Sequence, residues 1–156
     1  MYASKREDEM FESCAERKRS AIDALQEIQK AGRRMRRAGN QAGQLAYLLT
    51  VYRIYCRWQR SRMSELRAKS LCKIQGVKWR HGTQPVRVLI DVGCKRDVRT
   101  KSRWARALDY AFTDETKPKH FLWFLKENGG IAGCVRLNAE SSRPYEGDGF
   151  GADDDE

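Results

Sequence analysis

Residues 41–75 of the chain, QAGQLAYLLTVYRIYCRWQRSRMSELRAKSLCKIQ, contain no proline, and their apolar side chains recur at the spacing of an α-helix. Spacings of three, four and seven residues place side chains on one face of a helix. The stretch therefore predicts one long amphipathic helix. Its apolar stripe consists of Leu45, Leu48, Leu49, Tyr52, Cys56, Met63 and Leu66.

Residues 7–38 show the same periodicity and predict a first helix. Ser4 followed by Glu7 resembles a capping box, and Gly39 follows the last periodic residue as a typical helix stop. The apolar positions of this helix are Phe11, Cys14, Ala21, Ile22, Leu25 and Ile28.

The two helices together predict an amphipathic helical hairpin or coiled coil over residues 1–75. One continuous helix is the alternative, because Gly39 and Gly43 weaken a helix without forbidding it. A stripe this long needs a partner surface, which is either the other helix or a second copy of the chain. A homodimer is therefore one possible state.

Residues 76–100 form a turn-rich connector with one strand candidate. Residues 86–92, VRVLIDV, are rich in β-branched side chains, which favour strands. Since one strand cannot stand alone, we expect it to pair with Val77–Trp79 in a short hairpin or to lie across the helices.

Residues 101–139 predict a small helical domain. Helices are expected at 101–112, at the very apolar stretch 119–127 and at 131–138, with Trp104 and Trp123 in the main core. The last two could form a helix–turn–helix, although a compact hairpin that closes the core is favoured. The fold class is therefore mainly α, with a long N-terminal helical hairpin or coiled coil, then a small C-terminal helical domain and at most a short β-hairpin.

The charge of +10 is unevenly distributed along the chain. Residues 1–75 hold 17 Lys/Arg against 8 Asp/Glu, and residues 76–139 hold 13 against 6. Residues 140–156 hold 1 against 7, and their Gly and Asp content predicts a disordered acidic tail. A basic body attracts polyanions by counterion release and long-range steering, and the tail could compete with them.

Three basic clusters are candidate nucleic-acid-binding residues. The first lies at the end of the first helix, the second forms a stripe on one face of the second helix, and the third precedes the C-terminal helices. Guanidinium groups in line along a helix can follow a phosphate backbone. The alternatives are the flank of a coiled-coil seam for the stripe and a complement to the helix dipole for the first cluster. The residues are Arg33, Arg34, Arg36 and Arg37; Arg53, Arg57, Arg60 and Arg67; and Lys95, Arg96, Arg99, Lys101, Arg103 and Arg106.

Catalytic and metal-binding patterns find no support in the sequence. It contains no P-loop, no G-x-G-x-x-G and no H-E-x-x-H motif, and neither His81 nor His120 has a partner at suggestive spacing. The five cysteines are widely spaced without a C-x-x-C pair, which favours buried free thiols over a zinc site. We therefore predict no catalytic residues, no metal and no cofactor.

The absence of an apolar signal peptide or membrane span predicts a cytoplasmic protein that does not enter membranes. The function we expect is that of a non-enzymatic nucleic-acid-binding accessory or regulatory protein. The alternative is a protein-interaction module, an inhibitor or assembly factor that docks its amphipathic helices on a partner protein.

Overall fold

The computed structural model describes residues 13–143, and this part of the chain is helical without a strand. The prediction of a mainly α fold with an N-terminal hairpin is confirmed. The helices are α1 (Cys14–Ala38), α2 (Gln41–Arg60), α3 (Ser64–Gln75), α4 (Pro85–Asp91), α5 (Val98–Thr113), a 3-10 turn (Pro118–His120), α6 (Phe121–Glu127) and α7 (Gly130–Ser141).

The hairpin of α1 and α2 is defined by local caps. Ser13 and Glu16 form a capping box at the start of α1, whereas the predicted box at Ser4 lies outside the described residues. Gly39 adopts a left-handed conformation with φ 61°, and its amide donates to the Met35 carbonyl. Asn40 then caps α2 through its side chain, which excludes the continuous-helix alternative.

The single helix predicted over residues 41–75 is wrong, because the structure breaks it between α2 and α3. Arg62 occupies the left-handed region with φ 56°, although neither glycine nor proline marks the turn. The side chains of Trp58 and Met63 on either side are buried. Tertiary packing on both sides of the turn therefore holds a backbone conformation that a non-glycine residue rarely adopts.

The strand predicted over residues 86–92 is also wrong, since residues 85–91 form α4. Pro85 stands at the first helical position, where its missing N–H is tolerated, and Val77–Trp79 lies in the preceding loop without pairing. The helix buries four apolar side chains among α2, α3 and α5, namely Val86, Val88, Leu89 and Ile90. Each such burial is worth about 1.5–3 kcal/mol, which exceeds a helix-propensity deficit of at most about 0.7 kcal/mol per residue.

Helices α2 and α5 lie side by side and run parallel. The rings of Tyr47 and Trp104 have centroids 6.2 Å apart. Eight residues further along both helices, the ring centroids of Tyr55 and Phe112 are 5.3 Å apart. This contact joins the hairpin to the C-terminal helices.

The buried side chains form one cluster that extends from Ala21 to Cys134. The sequence had suggested a main core in the C-terminal helices. The structure instead extends the core through the hairpin as well. Trp104 is buried as predicted, but Trp123 is 64% exposed and Leu122 is 43% exposed, so α6 is not buried all round. The hairpin helices supply much of the core that the C-terminal helices were expected to provide.

The apolar stripe of α2 is covered within the chain. Leu48, Tyr52 and Cys56 are buried, so this face cannot serve as the seam between two chains. Within residues 13–143, no helix is both long and apolar enough to span a membrane. The predicted acidic tail overlaps the end of α7, and its residues 144–156 lie outside the described part.

Candidate nucleic-acid interface

The exposed side of α2 carries three arginines in line, which we call the α2 face: Arg53, Arg57 and Arg60. Their spacing of four and three residues places them on one side of the helix, opposite its buried side. No acidic residue occurs between Gln41 and Arg60. The α2 face therefore presents three guanidinium groups over about ten ångströms without a balancing charge on the same helix.

The fourth residue of the predicted stripe, Arg67, does not continue this face. The break at residues 61–63 places Arg67 on α3, where it is half-buried and engaged in an interaction. The predicted four-arginine stripe is thus reduced to three.

Helix α5 carries a second arginine face with the same spacing, the α5 face: Arg99, Arg103 and Arg106. These three side chains are exposed, whereas Trp104 and Leu108 point into the core. The acid within α5, Asp109, is half-buried near Tyr55, and burial raises the pKa of its carboxyl.

Lys101, predicted to contact phosphate, lies off the α5 face. Its ammonium group pairs with the Asp91 carboxylate at 3.1 Å, and its side chain is only 16% exposed. Asp91 also accepts from Arg87 at 3.3 Å, and Arg87 donates to Ser102 at 2.7 Å. This network connects α4 to α5. Lys101 therefore takes part in packing between the helices and not in the α5 face.

The arginine cluster of α1 divides between two sides of the helix. Arg33 and Arg36 line a pocket of about 340 Å³ together with Lys95, which belongs to the loop between α4 and α5. Arg34 and Arg37 are exposed outside this pocket. We call this site the basic pocket, and its lining residues are Gln29, Arg33, Arg36, Asp91, Val92, Gly93, Cys94 and Lys95.

The basic pocket joins two clusters that are about sixty residues apart in the sequence. Gln29, Arg33 and Arg36 follow one another at helical spacing on the wall formed by α1, and Lys95 stands on the opposite wall. Asp91 is the one acid among the lining residues, and its ion pairs with Arg87 and Lys101 already balance its charge. The pocket is therefore strongly cationic.

A close contact between two glycines joins α1 to the loop that lines this pocket. A Cβ atom added to Gly32 would lie 2.0 Å from the carbonyl oxygen of Gly93, and one added to Gly93 would lie 2.5 Å from a methyl carbon of Ile28. Any side chain at either glycine would thus push α1 away from the loop. Sequence analysis missed both residues, although a glycine inside an otherwise helical pattern is a signal for close packing.

The hydroxyl of Tyr47 holds the end of α4, from which the same loop continues. It donates to the carbonyl of Ile90 at 2.7 Å. Burial raises the pKa of Tyr47 well above its ordinary value, so the hydroxyl stays protonated and remains a donor. Because Ile90 lies in the last turn of α4, its carbonyl has no partner within the helix.

The cysteines are free, as predicted, and four of them are buried: Cys56, Cys72, Cys94 and Cys134. Cys14 differs from the expectation because it is exposed. Burial raises the pKa of Cys134 to about 11, which disfavours the reactive thiolate. In residues 13–143 no three His, Cys, Asp or Glu side chains cluster in a way that could hold a metal ion.

The exposed Trp123 borders a groove of about 630 Å³ that sequence analysis did not anticipate. The groove also contains Asp114, Glu115, Lys117 and His120, so its charges are mixed. It lacks the cationic character of the basic pocket.

Comparisons with protein-family models, with characterised proteins and with solved structures gave no match to this chain.

Proposed function

We propose that the protein binds nucleic acid without catalysis, as an accessory or regulatory protein. The observation that supports this proposal best is the set of exposed arginines on the α2 face, the α5 face and the basic pocket, with few acids beside them. Surfaces of this kind neutralise phosphates and release counterions. The buried free thiols are compatible with a reducing cytoplasm, where we place the protein.

The test measures how affinity depends on salt. On a DNA duplex each phosphate contact contributes a slope of about −0.9 in log K against log salt concentration. Changing Arg53, Arg57 and Arg60 together to Gln should make that slope shallower by about three units, and the same holds for Arg99, Arg103 and Arg106. Binding is measured by anisotropy of a labelled duplex with nuclease-treated protein.

A matched control separates local contacts from the general field of the protein. The triple variant Lys117→Gln, Lys119→Gln and Lys126→Gln removes the same charge from exposed positions outside both faces. Its slope should stay close to that of the unmodified protein. Equal slopes for all three triple variants would refute contacts at the α2 and α5 faces, and absence of binding would refute the function.

A second candidate function is that of a protein-interaction module, favoured by the exposure of Leu122 and Trp123 on α6. Partly exposed tryptophans are frequent anchors in protein interfaces. If the purified protein has one stoichiometric protein partner, Trp123→Ala should weaken that complex by at least about tenfold. The α2-face variant should leave it intact.

A further inference from the structure

The basic pocket differs from the two arginine faces in shape. The faces are convex sides of helices, whereas the pocket is a concavity between α1 and the loop of residues 92–95. A convex row of arginines contacts successive phosphates of a continuous backbone. A concavity of this size instead accepts a group that can enter it from one side.

Both walls of the pocket contribute donors. Arg33 and Arg36 supply guanidinium groups and Gln29 an amide from α1, while Lys95 supplies an ammonium group from the loop. Side chains of this kind form short, charge-assisted hydrogen bonds with phosphate oxygens. The glycine contact holds α1 against the loop before any ligand arrives. The Tyr47 hydrogen bond joins α2 to the last turn of α4, from which this loop continues.

From this geometry we infer that the basic pocket binds the terminal phosphate monoester of a nucleic-acid strand. The inference rests on the proposed nucleic-acid binding and names the part of the strand that the pocket recognises. A terminal monoester carries a charge of about −1.5 to −2 at pH 7 and exposes three oxygens. An internal phosphodiester has a single charge, and the strand that continues on both sides of it hinders entry into a concavity.

The experiment compares one single-stranded oligonucleotide with a 5′-phosphate, a 3′-phosphate or hydroxyls at both ends, labelled at an internal base so that both ends are free. The full-length protein should bind one of the phosphorylated forms at least about tenfold more tightly than the hydroxyl form. Inorganic phosphate at millimolar concentration should remove this preference. The preference should also shrink at pH 5, because the second pKa of a phosphate monoester is about 6.

Variants inside and outside the pocket locate the effect. Arg33→Gln with Arg36→Gln should abolish the preference for the phosphorylated end, and Lys95→Gln from the opposite wall should reduce it. Arg34→Gln with Arg37→Gln removes the same charge from the same turns of α1 outside the pocket, so the preference should persist. Circular dichroism confirms that each variant is folded.

The outcomes separate this inference from the proposed function. If the three oligonucleotides bind with equal affinity, the inference is overturned while nucleic-acid binding stands. If none binds, both proposals fall. If a free mononucleotide binds the pocket but no oligonucleotide does, the recognition of strand ends is refuted. A preference that Arg34→Gln with Arg37→Gln abolishes equally would show that the pocket is not its source.

Discussion

The basic pocket and the α2 face are both cationic, but they are constructed in different ways. The α2 face follows from helical spacing alone, since Arg53, Arg57 and Arg60 lie on the exposed side of any amphipathic helix with this sequence. The pocket exists because Gly32 and Gly93 allow two distant segments to touch. Its function should therefore depend on buried residues without charge, whereas that of the α2 face should not.

The largest effect should come from Gly32→Ala. Alanine normally stabilises an exposed helix position by about 1 kcal/mol relative to glycine. Here its Cβ would overlap backbone atoms of Gly93, which cannot move aside as a flexible side chain could. We expect the free energy of unfolding to fall by about 3 kcal/mol in urea denaturation, with loss of the preference for a terminal phosphate. A stabilised variant would show that the close contact does not exist.

A smaller effect is expected for Tyr47→Phe. This change leaves the Ile90 carbonyl in the last turn of α4 without its donor, and should cost about 1–2 kcal/mol of unfolding free energy. The preference for a terminal phosphate should weaken, because the last turn of α4, from which the loop continues, loses a support.

Tyr52→Phe is the matched control for that variant. Its hydroxyl donates to the carbonyl of Thr116, away from the basic pocket. We expect a comparable loss of stability with no change in phosphate preference. If both variants reduced that preference equally, general destabilisation would be its cause, and the specific role of Tyr47 would be disproved.

The α2 face should tolerate the loss of its charges. Each of Arg53→Gln, Arg57→Gln and Arg60→Gln should change the unfolding free energy by less than about 0.5 kcal/mol, because the side chains are exposed. This small change in unfolding free energy contrasts with the loss of about 3 kcal/mol expected for Gly32→Ala. A loss of several kcal/mol in any single variant would mean that the α2 face contributes to packing.

The smallest effect on the unfolding free energy is expected for a change at Asp97, which caps α5 just beyond the loop of the basic pocket. Its side chain accepts from the hydroxyl and amide of Thr100, and these hydrogen bonds lower the pKa of its carboxyl. A lowered pKa in the folded state gives stability that is present above the pKa of the unfolded chain, about 3.9, and is lost as the pH falls through the folded value.

The stability difference between the unmodified protein and Asp97→Asn should accordingly shrink as the pH falls below about 4. Urea denaturation at several pH values measures it. Asp23→Asn, in the middle of α1, serves as the control because Asp23 caps no helix. A difference that stays constant over this range would contradict the assigned role of the Asp97 carboxylate.

Much of the fold could be predicted from local pattern. The hairpin turn at Gly39 follows from its cap residues, and the helix predicted at 101–112, which spans Val98–Thr113 in the structure, follows from apolar periodicity. Both signals act between residues a few positions apart. The break at Arg62 and the helical state of residues 85–91 could not be predicted in this way. At residues 85–91 burial of several side chains outweighs propensity differences of a fraction of a kilocalorie per residue. At Arg62 burial of the neighbouring side chains outweighs a left-handed backbone cost of about 1–2 kcal/mol.

The same division applies to the candidate site. The sequence by itself determined the three cationic clusters and the alignment of the α2 face, because charge and helical spacing are local properties. Only the tertiary structure decided that Arg33, Arg36 and Lys95 face one pocket, that Asp91 holds Lys101, and that Arg67 leaves the stripe. The physical reason is that the contact between Gly32 and Gly93 depends on two segments sixty residues apart. Gly32 inside the helical pattern signals a close packing contact, but neither segment alone identifies the other as the partner.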